Sequence, residues 1–387
     1  MHLCEDLLTE IFLKLPVLTL LRFRAVCKSW CSIIDSPAFT SQHFELFNKN
    51  STKNQLLLIH AVTQDDGMTE LEFEVVNQFT FDRVKLIAFL TENCKIHDIF
   101  NGLILYQQIR DPKIKNTMYP VLMLLNPSVR KVRTLCPCTL PEQLGHGIDN
   151  FALGFDSSSN DYKVIAFGGN DRVNANLYKI AVYSLNEDRW KMKNVHVVDN
   201  PISRYTVLLH HRHFCQGGVH WIRGGRDTVL YEGGLEHTHF SSFDFGVEEF
   251  RCLPLPGRKM FKCMFDFEKS LAVFGISAES SNMWIMREDV GEVAPERPWV
   301  RCFRGGSSLD AFEFFKRNKY ARITNDEYSG VFFVLSWKYG PMSLMSYDII
   351  SRQIRTIRRV YGYRVCCADA YVESFETLER IQLRYDD

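Results

Sequence analysis

A pair of apolar residues seven positions apart recurs along most of the chain, and this spacing constrains the fold more than any other feature of the sequence. The two members lie on either side of a short polar turn, so each pair predicts two antiparallel strands joined as a hairpin. The pairs are Leu125 with Val132, Tyr183 with Trp190, Phe243 with Phe250, and Tyr347 with Ile354. Segments 283–286 and 299–300 supply another copy, and 55–81 supplies a weaker first one. A period of about 55 residues is typical of propeller blades.

From Gln55 onward the sequence has the pattern of an all-β domain. Short runs rich in β-branched and aromatic residues end at glycine, asparagine, aspartate or proline turns. Examples are Gln55–Ala61, Leu103–Gln107, Tyr162–Phe167, Val219–Ile222, Leu271–Ile276 and Val331–Ser336. No run alternates with a long helical pattern, which argues against a parallel α/β sheet. We predict a β-propeller of about six blades, with a large β-sandwich or two stacked barrels as the alternative.

Residues 1–46 have a helical pattern instead. Apolar residues recur at helical spacing along one face, at Leu7, Ile11 and Leu15. Pro16 is predicted to end this helix, and Ser36 followed by Pro37 predicts the start of another. The segment should therefore form three or four short helices. Its apolar content is too high for so small a unit to cover by packing on itself, which predicts a partner protein.

The composition narrows the class of protein. Lys and Arg together number 46, as do Asp and Glu, so the zero net charge argues against binding nucleic acid or an anionic membrane through a global basic field. No apolar run approaches the roughly 18 residues of a membrane span, and the start of the sequence lacks the pattern of a signal peptide. We therefore expect a soluble protein of the cytoplasm or nucleus, in which most of the 12 cysteines are reduced and buried.

The order of residues in the helical segment resembles an F-box. The matching segments are 3–16, LCEDLLTEIFLKLP, and 20–34, LLRFRAVCKSWCSII. The resemblance implies docking to a Skp-type adaptor protein and, through it, to a cullin. The residues that it assigns to the adaptor interface are Leu7, Leu8, Ile11, Leu15, Pro16, Leu20, Arg24, Val26, Cys27, Lys28 and Trp30. Cys4 stands where the family usually has proline, which implies weaker docking.

The remainder is similar to the plant F-box-associated domain of type 1, with one kelch-like stretch after Gly168-Gly169. Segments in the family's order include Asn101–Leu103, Leu125–Lys131, Gly154–Asp156, Gly218–Trp221 and Tyr371–Ser374. The resemblance implies a small all-α F-box head at 1–46, an F-box-associated β-propeller-like domain at 47–375 and a C-terminal tail at 376–387. Segments 224–239 and 288–297 depart from the family and are candidates for this protein's own specificity.

Other clusters of chemically active residues have a structural interpretation. A histidine-rich run lacks the second ligand pair that tetrahedral zinc takes; it comprises His210, His211, His213 and Cys215. A basic run lacks interleaved aromatic side chains for stacking bases; it comprises Arg352, Arg355, Arg358 and Arg359. Paired glycines lack the Lys-Ser/Thr of a phosphate loop and are interpreted as turns, and no nucleophile motif is present. We therefore expect no catalytic residue, cofactor, metal, nucleic-acid partner or membrane partner.

The resemblance implies a non-catalytic function. The chain would be the substrate-recognition subunit of a Skp–cullin–F-box ubiquitin ligase, with the head on the adaptor and the β domain holding a target protein. Two alternatives remain open. In the first the propeller senses a small molecule or a glycan, and in the second the F-box acts outside ubiquitylation.

Overall fold

The computed structural model describes most of the chain, in two compact units. The described residues are 4–50, 55–63, 69–77, 83–91, 94–108, 121–136, 150–167, 177–196, 212–222, 228–231, 234–237, 239–258, 260–267, 270–287, 299–307, 309–317, 323–325, 331–336, 343–359, 364–375 and 378. The first unit comprises residues 1–114, 121–135 and 365–387. The second comprises 115–120 and 136–364.

The first unit begins with four helices. They are α1 Glu5–Phe12, α2 Val17–Phe23, α3 Lys28–Ile34 and α4 Pro37–Asn50. The predicted cap of α4 is confirmed, because Oγ of Ser36 accepts a hydrogen bond from the amide of Phe39 at 3.2 Å. The predicted end of the first helix is wrong. The helix ends at Phe12 in a tight turn, and Pro16 is instead the cap of α2, where its fixed φ suits the extended backbone.

Two four-stranded sheets complete the first unit. Sheet 1 has the order β26-β1-β2-β3, with β1 Gln55–Thr63, β2 Thr69–Asn77, β3 Arg83–Thr91 and β26 Arg364–Ala370. Sheet 2 has the order β4-β5-β6-β7, with β4 Cys94–Phe100, β5 Leu103–Gln108, β6 Val121–Asn126 and β7 Lys131–Thr134. Sheet 1 is thus built from both ends of the β-rich part of the chain.

Four more four-stranded sheets form the second unit. Sheet 3 contains β8 Asn150–Asp156, β9 Asp161–Phe167, β10 Leu177–Ser184 and β11 Arg189–His196. Sheet 4 contains β12 Arg212–Cys215, β13 Gly218–Ile222, β16 His239–Asp244 and β17 Glu249–Pro254, with a separate hairpin of β14 Thr228–Tyr231 and β15 Gly234–His237. Sheet 5 contains β18 Phe261–Phe267, β19 Ser270–Ile276, β20 Ser280–Met286 and β21 Trp299–Gly306. Sheet 6 contains β22 Ile323–Asn325, β23 Val331–Ser336, β24 Ser343–Asp348 and β25 Ile354–Arg359.

The residue pairs seven positions apart are cross-strand partners. Their backbones lie directly opposite one another between the third and fourth strands of four sheets. The rings of Tyr183 and Trp190 lie 5.2 Å apart, and those of Phe243 and Phe250 lie 4.9 Å apart. Direct pairing of this kind stabilises a hairpin and sets its register. The predicted repeat is confirmed, and it gives six four-stranded sheets among the described residues.

The short turns between the third and fourth strands of sheets 2, 3, 4 and 6 share one geometry. In each turn a side chain at the end of the strand accepts amide hydrogen bonds, as Oδ1 of Asp244 does from Gly246 at 2.8 Å and Val247 at 3.1 Å. The residue two positions before the second member of each seven-residue pair has a positive φ: Arg130, Asp188, Glu248 and Arg352. We call the end of a sheet that carries these turns its turn end. The first and second strands of sheet 2 also join there, through Asn101 and Gly102.

Most of the apolar cores lie between consecutive sheets. One core in the second unit joins sheets 3 and 4 around Trp221 and Phe243, and another joins sheets 5 and 6 around Phe274 and Tyr347. The latter core also contains Phe315 from a fifth helix, α5 Leu309–Arg317, which the sequence reading did not predict. The interpretation of Gly305-Gly306 as a turn is also wrong, because both residues pair with β20 inside β21.

Candidate functional site

The helical segment exposes apolar side chains that its own packing does not cover. Leu7 and Ile11 lie one turn apart on α1 and are 45% and 42% exposed. Val26, in the α2–α3 link, is 60% exposed. Pro16, Cys27 and Lys28 are exposed as well. We call this set of six residues the head surface; it contains a majority of the residues that the sequence assigns to the adaptor.

Three more of the assigned residues are half-buried and pack between the head surface and the helical core. Leu8, Leu15 and Trp30 pack against one core, which also contains Phe12. The ring of Trp30 meets that of Phe12 edge-on at 5.0 Å and lies 5.1 Å from that of Phe23. The aromatic cluster therefore holds α1, α2 and α3 against one another, because edge-on ring pairs are favourable contacts.

The remaining two assigned residues have structural contacts. Leu20 is fully buried in the same core, so its side chain holds the helices together and does not reach the surface. Arg24 is paired with Asp35, with Nη2 donating to Oδ2 at 2.8 Å and Nε 2.7 Å from Oδ1. The hydrogen bond to Asp35 raises the pKa of Arg24. This pair ties the end of α2 to the end of α3.

Two further residues of the head are exposed close to the predicted adaptor interface. Leu18 on α2 was not predicted to lie at the interface, but it is 46% exposed. Val17 and Leu20 on the same helix are buried, so Leu18 lies on the opposite, exposed side of α2. Cys4 is exposed at the cap position of α1 and makes no capping hydrogen bond with its side chain. Its φ of −60° is one that proline adopts.

In the second unit, the histidine-rich run lies only partly within the described residues, since His210 and His211 fall outside them. His213 on β12 faces His220 on β13 across the ladder. Burial lowers the pKa of His220 to about 4, and its Nε2 donates a hydrogen bond to the carbonyl oxygen of Cys215 at 3.1 Å. A group of three or more metal-ligating side chains does not occur in the part of the chain that the structure describes.

The basic run lies at the edge of sheet 6. Arg352 is the turn residue with positive φ, and Arg355 is an exposed residue of β25 whose Nη2 donates to Gln353. The side chains of Arg358 and Arg359 fall outside the described part of the chain. The two described arginines therefore lie on a turn and an edge strand.

Family comparison assigns the two parts of the chain. Residues 1–42 match the F-box domain, and residues 55–376 match the family described as the F-box associated beta propeller domain. The chain belongs to the F-box associated beta propeller family. In this F-box protein the six four-stranded sheets are thus blades, and the predicted fold of a helical head followed by a β-propeller is confirmed.

Individual relatives of this F-box protein come from Arabidopsis thaliana. Putative F-box protein At3g21120 is 24% identical over 66% of this chain and 66% of its own length. F-box protein CPR1 is 25% identical over 65% of this chain and 59% of its own length. The match thus spans less than two thirds of each of these two relatives.

Solved structures resemble the chain more distantly. The β-propeller domain of the Trilobed protease from Pyrococcus furiosus is 9% identical, with a TM-score of 0.39, over 79% of this chain and 81% of that one. The family match, and not this likeness, therefore supports the fold assignment. Among the described residues, no helix is both long enough and apolar enough to cross a membrane.

Proposed function

We propose that this chain is the substrate-recognition subunit of a Skp–cullin–F-box ubiquitin ligase, acting in the cytoplasm or the nucleus. The observation that carries the proposal is the head surface, where Leu7 and Ile11 on α1 and Val26 in the α2–α3 link remain exposed beside a well-packed core. Apolar side chains exposed on a rigid support are typical of a protein interface. The family match supports a Skp-type adaptor as the partner.

The receptor would perform no bond chemistry of its own. It would hold the adaptor through the head surface and a target protein through the propeller, so that target lysines reach a high effective concentration near a ubiquitin-charged enzyme on the cullin. Leu8, Leu15, Leu20, Arg24 and Trp30 would keep the head surface in shape. Phosphate, metal and cofactor chemistry have no part in this proposal.

We place target binding at the end of sheet 2 that is away from the head. Val129, in the turn between β6 and β7, packs against the helical core, so the head contacts the turn end of this sheet. The opposite end of the sheet is where β5 ends at Gln108 and β6 begins at Val121. Connections on a rigid scaffold can change without disturbing it and commonly carry recognition.

Adaptor affinity measured by calorimetry tests the proposal. The double variant Leu7→Asp/Ile11→Asp places two charges on the head surface and leaves the core residues unchanged. We expect the affinity to fall at least about 100-fold, because interface anchors often contribute 2 kcal/mol or more each. The matched control is Val247→Asp/Ile350→Asp, which alters two exposed apolar residues of the propeller and should bind as wild type does.

Equal adaptor binding by both double variants contradicts the proposal. If the adaptor binds as expected but no target is ubiquitylated in a reconstituted ligase, an F-box function outside ubiquitylation is favoured. A melting temperature that rises with a small molecule or a glycan favours the sensor alternative, because a ligand that binds only the folded state stabilises it.

A further inference from the structure

The core of the F-box head contains a residue from the other end of the chain. Phe375 is 4% exposed and belongs to the same apolar cluster as six residues of the four helices. Those six are Phe12, Val17, Leu20, Ile33, Ile34 and Phe39. A helical unit of this size buries little surface by itself, so one phenylalanine ring is a large share of its core.

The segment that carries Phe375 is fixed to the first unit of the propeller. We call residues 371–375, which follow β26, the C-terminal segment. Nδ2 of Asn126 donates to the carbonyl oxygen of Ser374 at 3.0 Å, and Oγ of Ser128 accepts from the amide of Ser374 at 3.3 Å. The same Oγ lies 2.8 Å from the hydroxyl of Tyr371, which is fully buried between sheets 1 and 2.

The backbone of the C-terminal segment also touches the β4–β5 turn. A Cβ placed on Gly102 would lie 2.2 Å from the carbonyl oxygen of Val372. The segment therefore lies directly against the turn, at a distance that only glycine permits. Together with the buried hydrogen bonds, this contact fixes the position of Phe375 relative to sheet 2.

His43 connects Phe375 with Leu15, next to Pro16 of the head surface. Its ring, 1% exposed, meets the ring of Phe375 edge-on at 5.1 Å. Its Nε2 donates a hydrogen bond of 2.8 Å to the carbonyl oxygen of Leu15, the residue before Pro16. A continuous set of contacts thus runs from the C-terminal segment through His43 to Leu15, which directly precedes Pro16 of the head surface.

We propose that Phe375 is a positioning residue: the C-terminal segment completes the core of the F-box head, so that the head surface forms only after β26 has joined sheet 1. The adaptor would then be recruited by chains whose propeller is complete and not by chains still lacking their last strand. Recruitment of the adaptor by such chains rests on the function proposed above, whereas the folding of the head does not.

Amide hydrogen exchange of the full chain tests the folding of the head, and calorimetry with the adaptor tests its docking. In Phe375→Ala we expect the amide exchange rates in α1–α4 to rise about 100-fold. Replacing a buried phenylalanine by alanine commonly lowers the folding equilibrium constant by more than that factor. Adaptor affinity should fall at least about tenfold. Exchange in sheets 3 to 6 should stay as in wild type.

The matched control is Phe332→Ala, which removes an equally buried ring from the core between sheets 5 and 6. It should accelerate exchange in that core and leave α1–α4 and adaptor affinity unchanged. Phe375→Leu keeps most of the apolar volume, so it should restore the larger part of both losses. If Phe375→Ala unfolds the whole chain, the milder leucine variant still reports on the head by exchange.

Unchanged exchange in α1–α4 of Phe375→Ala overturns the inference, as does an equal effect of Phe332→Ala on the head. A wild-type chain that fails to bind the adaptor overturns the proposed function alone, because the exchange data still show whether the C-terminal segment completes the head.

Discussion

Lys163 and Glu248 form a largely buried salt bridge between two neighbouring sheets, with Nζ of the lysine 2.9 Å from Oε1 of the glutamate. Lys163 lies on β9 of sheet 3, and Glu248 lies in the turn between β16 and β17 of sheet 4. The ammonium also donates to Oδ2 of Asp156 at 2.9 Å and to the carbonyl oxygen of Phe245 at 3.0 Å. All three donors of the ammonium are therefore used, and the two sheets are joined by charge as well as by apolar contact.

Replacing Lys163 should destabilise the second unit strongly. Burial raises the pKa of Asp156, but hydrogen bonds from Ser158, Ser159 and Lys163 outweigh it and hold that pKa below its ordinary value. In Lys163→Met both carboxylates lose the ammonium, although Asp156 keeps its serine hydrogen bonds and the glutamate keeps its ion pair with Lys193. Losing one charged partner from a site that keeps its others should cost about 1–3 kcal/mol. We expect that loss in the free energy of unfolding, measured in urea.

Lys191→Met provides the control for this prediction. Lys191 pairs with Glu187 at 2.7 Å, but both side chains are exposed, so its loss should cost less than about 1 kcal/mol. Equal losses in the two variants would show that the buried pair contributes no more than a surface pair.

The stability of the second unit should fall in acid because of His220. Burial lowers the pKa of His220 to about 4, whereas an unfolded histidine has a pKa near its ordinary 6.5. The folded state thus disfavours the imidazolium, so its contribution is fully present above pH 6.5 and is lost as the pH falls toward 4. The loss amounts to roughly 3 kcal/mol, measured as the free energy of unfolding against pH.

A comparison with His220→Leu isolates this contribution. The variant lacks the titrating ring but keeps an apolar side chain of moderate size in the buried position. Its unfolding free energy should depend less on pH between 6.5 and 4 than that of wild type. Parallel curves in this range would rule out His220 as the source of the acid sensitivity.

Two glycines with the same backbone conformation should respond differently to alanine. Gly102 has a φ of +76° and Gly217 a φ of +73°, each in a turn between the first two strands of its sheet. A Cβ on Gly217 would meet nothing within 4 Å, so Gly217→Ala should cost only the roughly 1 kcal/mol of strain at positive φ. Gly102→Ala should cost a further ~1–3 kcal/mol from overlap with the backbone of Val372.

Thermal or urea unfolding measures the difference between the two variants. Because the chemical change and the φ are matched, the difference reports the contact with the C-terminal segment alone. If the two variants unfold at the same denaturant concentration, the segment yields to the extra methyl group without cost.

Restoring the family's proline at position 4 should strengthen docking of the adaptor. The φ of −60° at Cys4 already suits proline, and removing backbone freedom at a compatible position is worth about 0.4–1 kcal/mol. Cys4→Pro should therefore bind the adaptor roughly two- to fivefold more tightly than Cys4→Ser. Weaker binding by the proline variant would show that the cysteine backbone adjusts on docking.

The sequence could predict the hairpins because their pattern is local. Residues such as Tyr183 and Trp190 are close along the chain and directly opposite across the turn, so the spacing of seven determines their register. The predicted run Val331–Ser336 coincides with β23 for the same reason, since a buried strand between two turns is recognisable from its own residues. Helix α5 was missed because its apolar pattern spans only a few turns of helix.

The composition of the head's core could not be predicted in this way. The sequence assigned Leu20 to the adaptor interface with its neighbours, but three-dimensional packing turns it inward and leaves Leu18 outside. The contact of Phe375 with His43 joins positions far apart in the chain. No periodicity reports such a contact, because it depends on how the last strand is placed beside the first.

The shared geometry of the turns after the third strand makes the two ends of sheets 2, 3, 4 and 6 unequal. One side chain at the end of the strand and one residue with positive φ are enough to close the turn. The same two features therefore set the turn conformation in all four sheets. At the opposite end of these sheets the second strand ends and the third strand begins, as at Gln108 and Val121 in sheet 2. The register of the third and fourth strands is set at the turn end, so it does not depend on the length of those other connections.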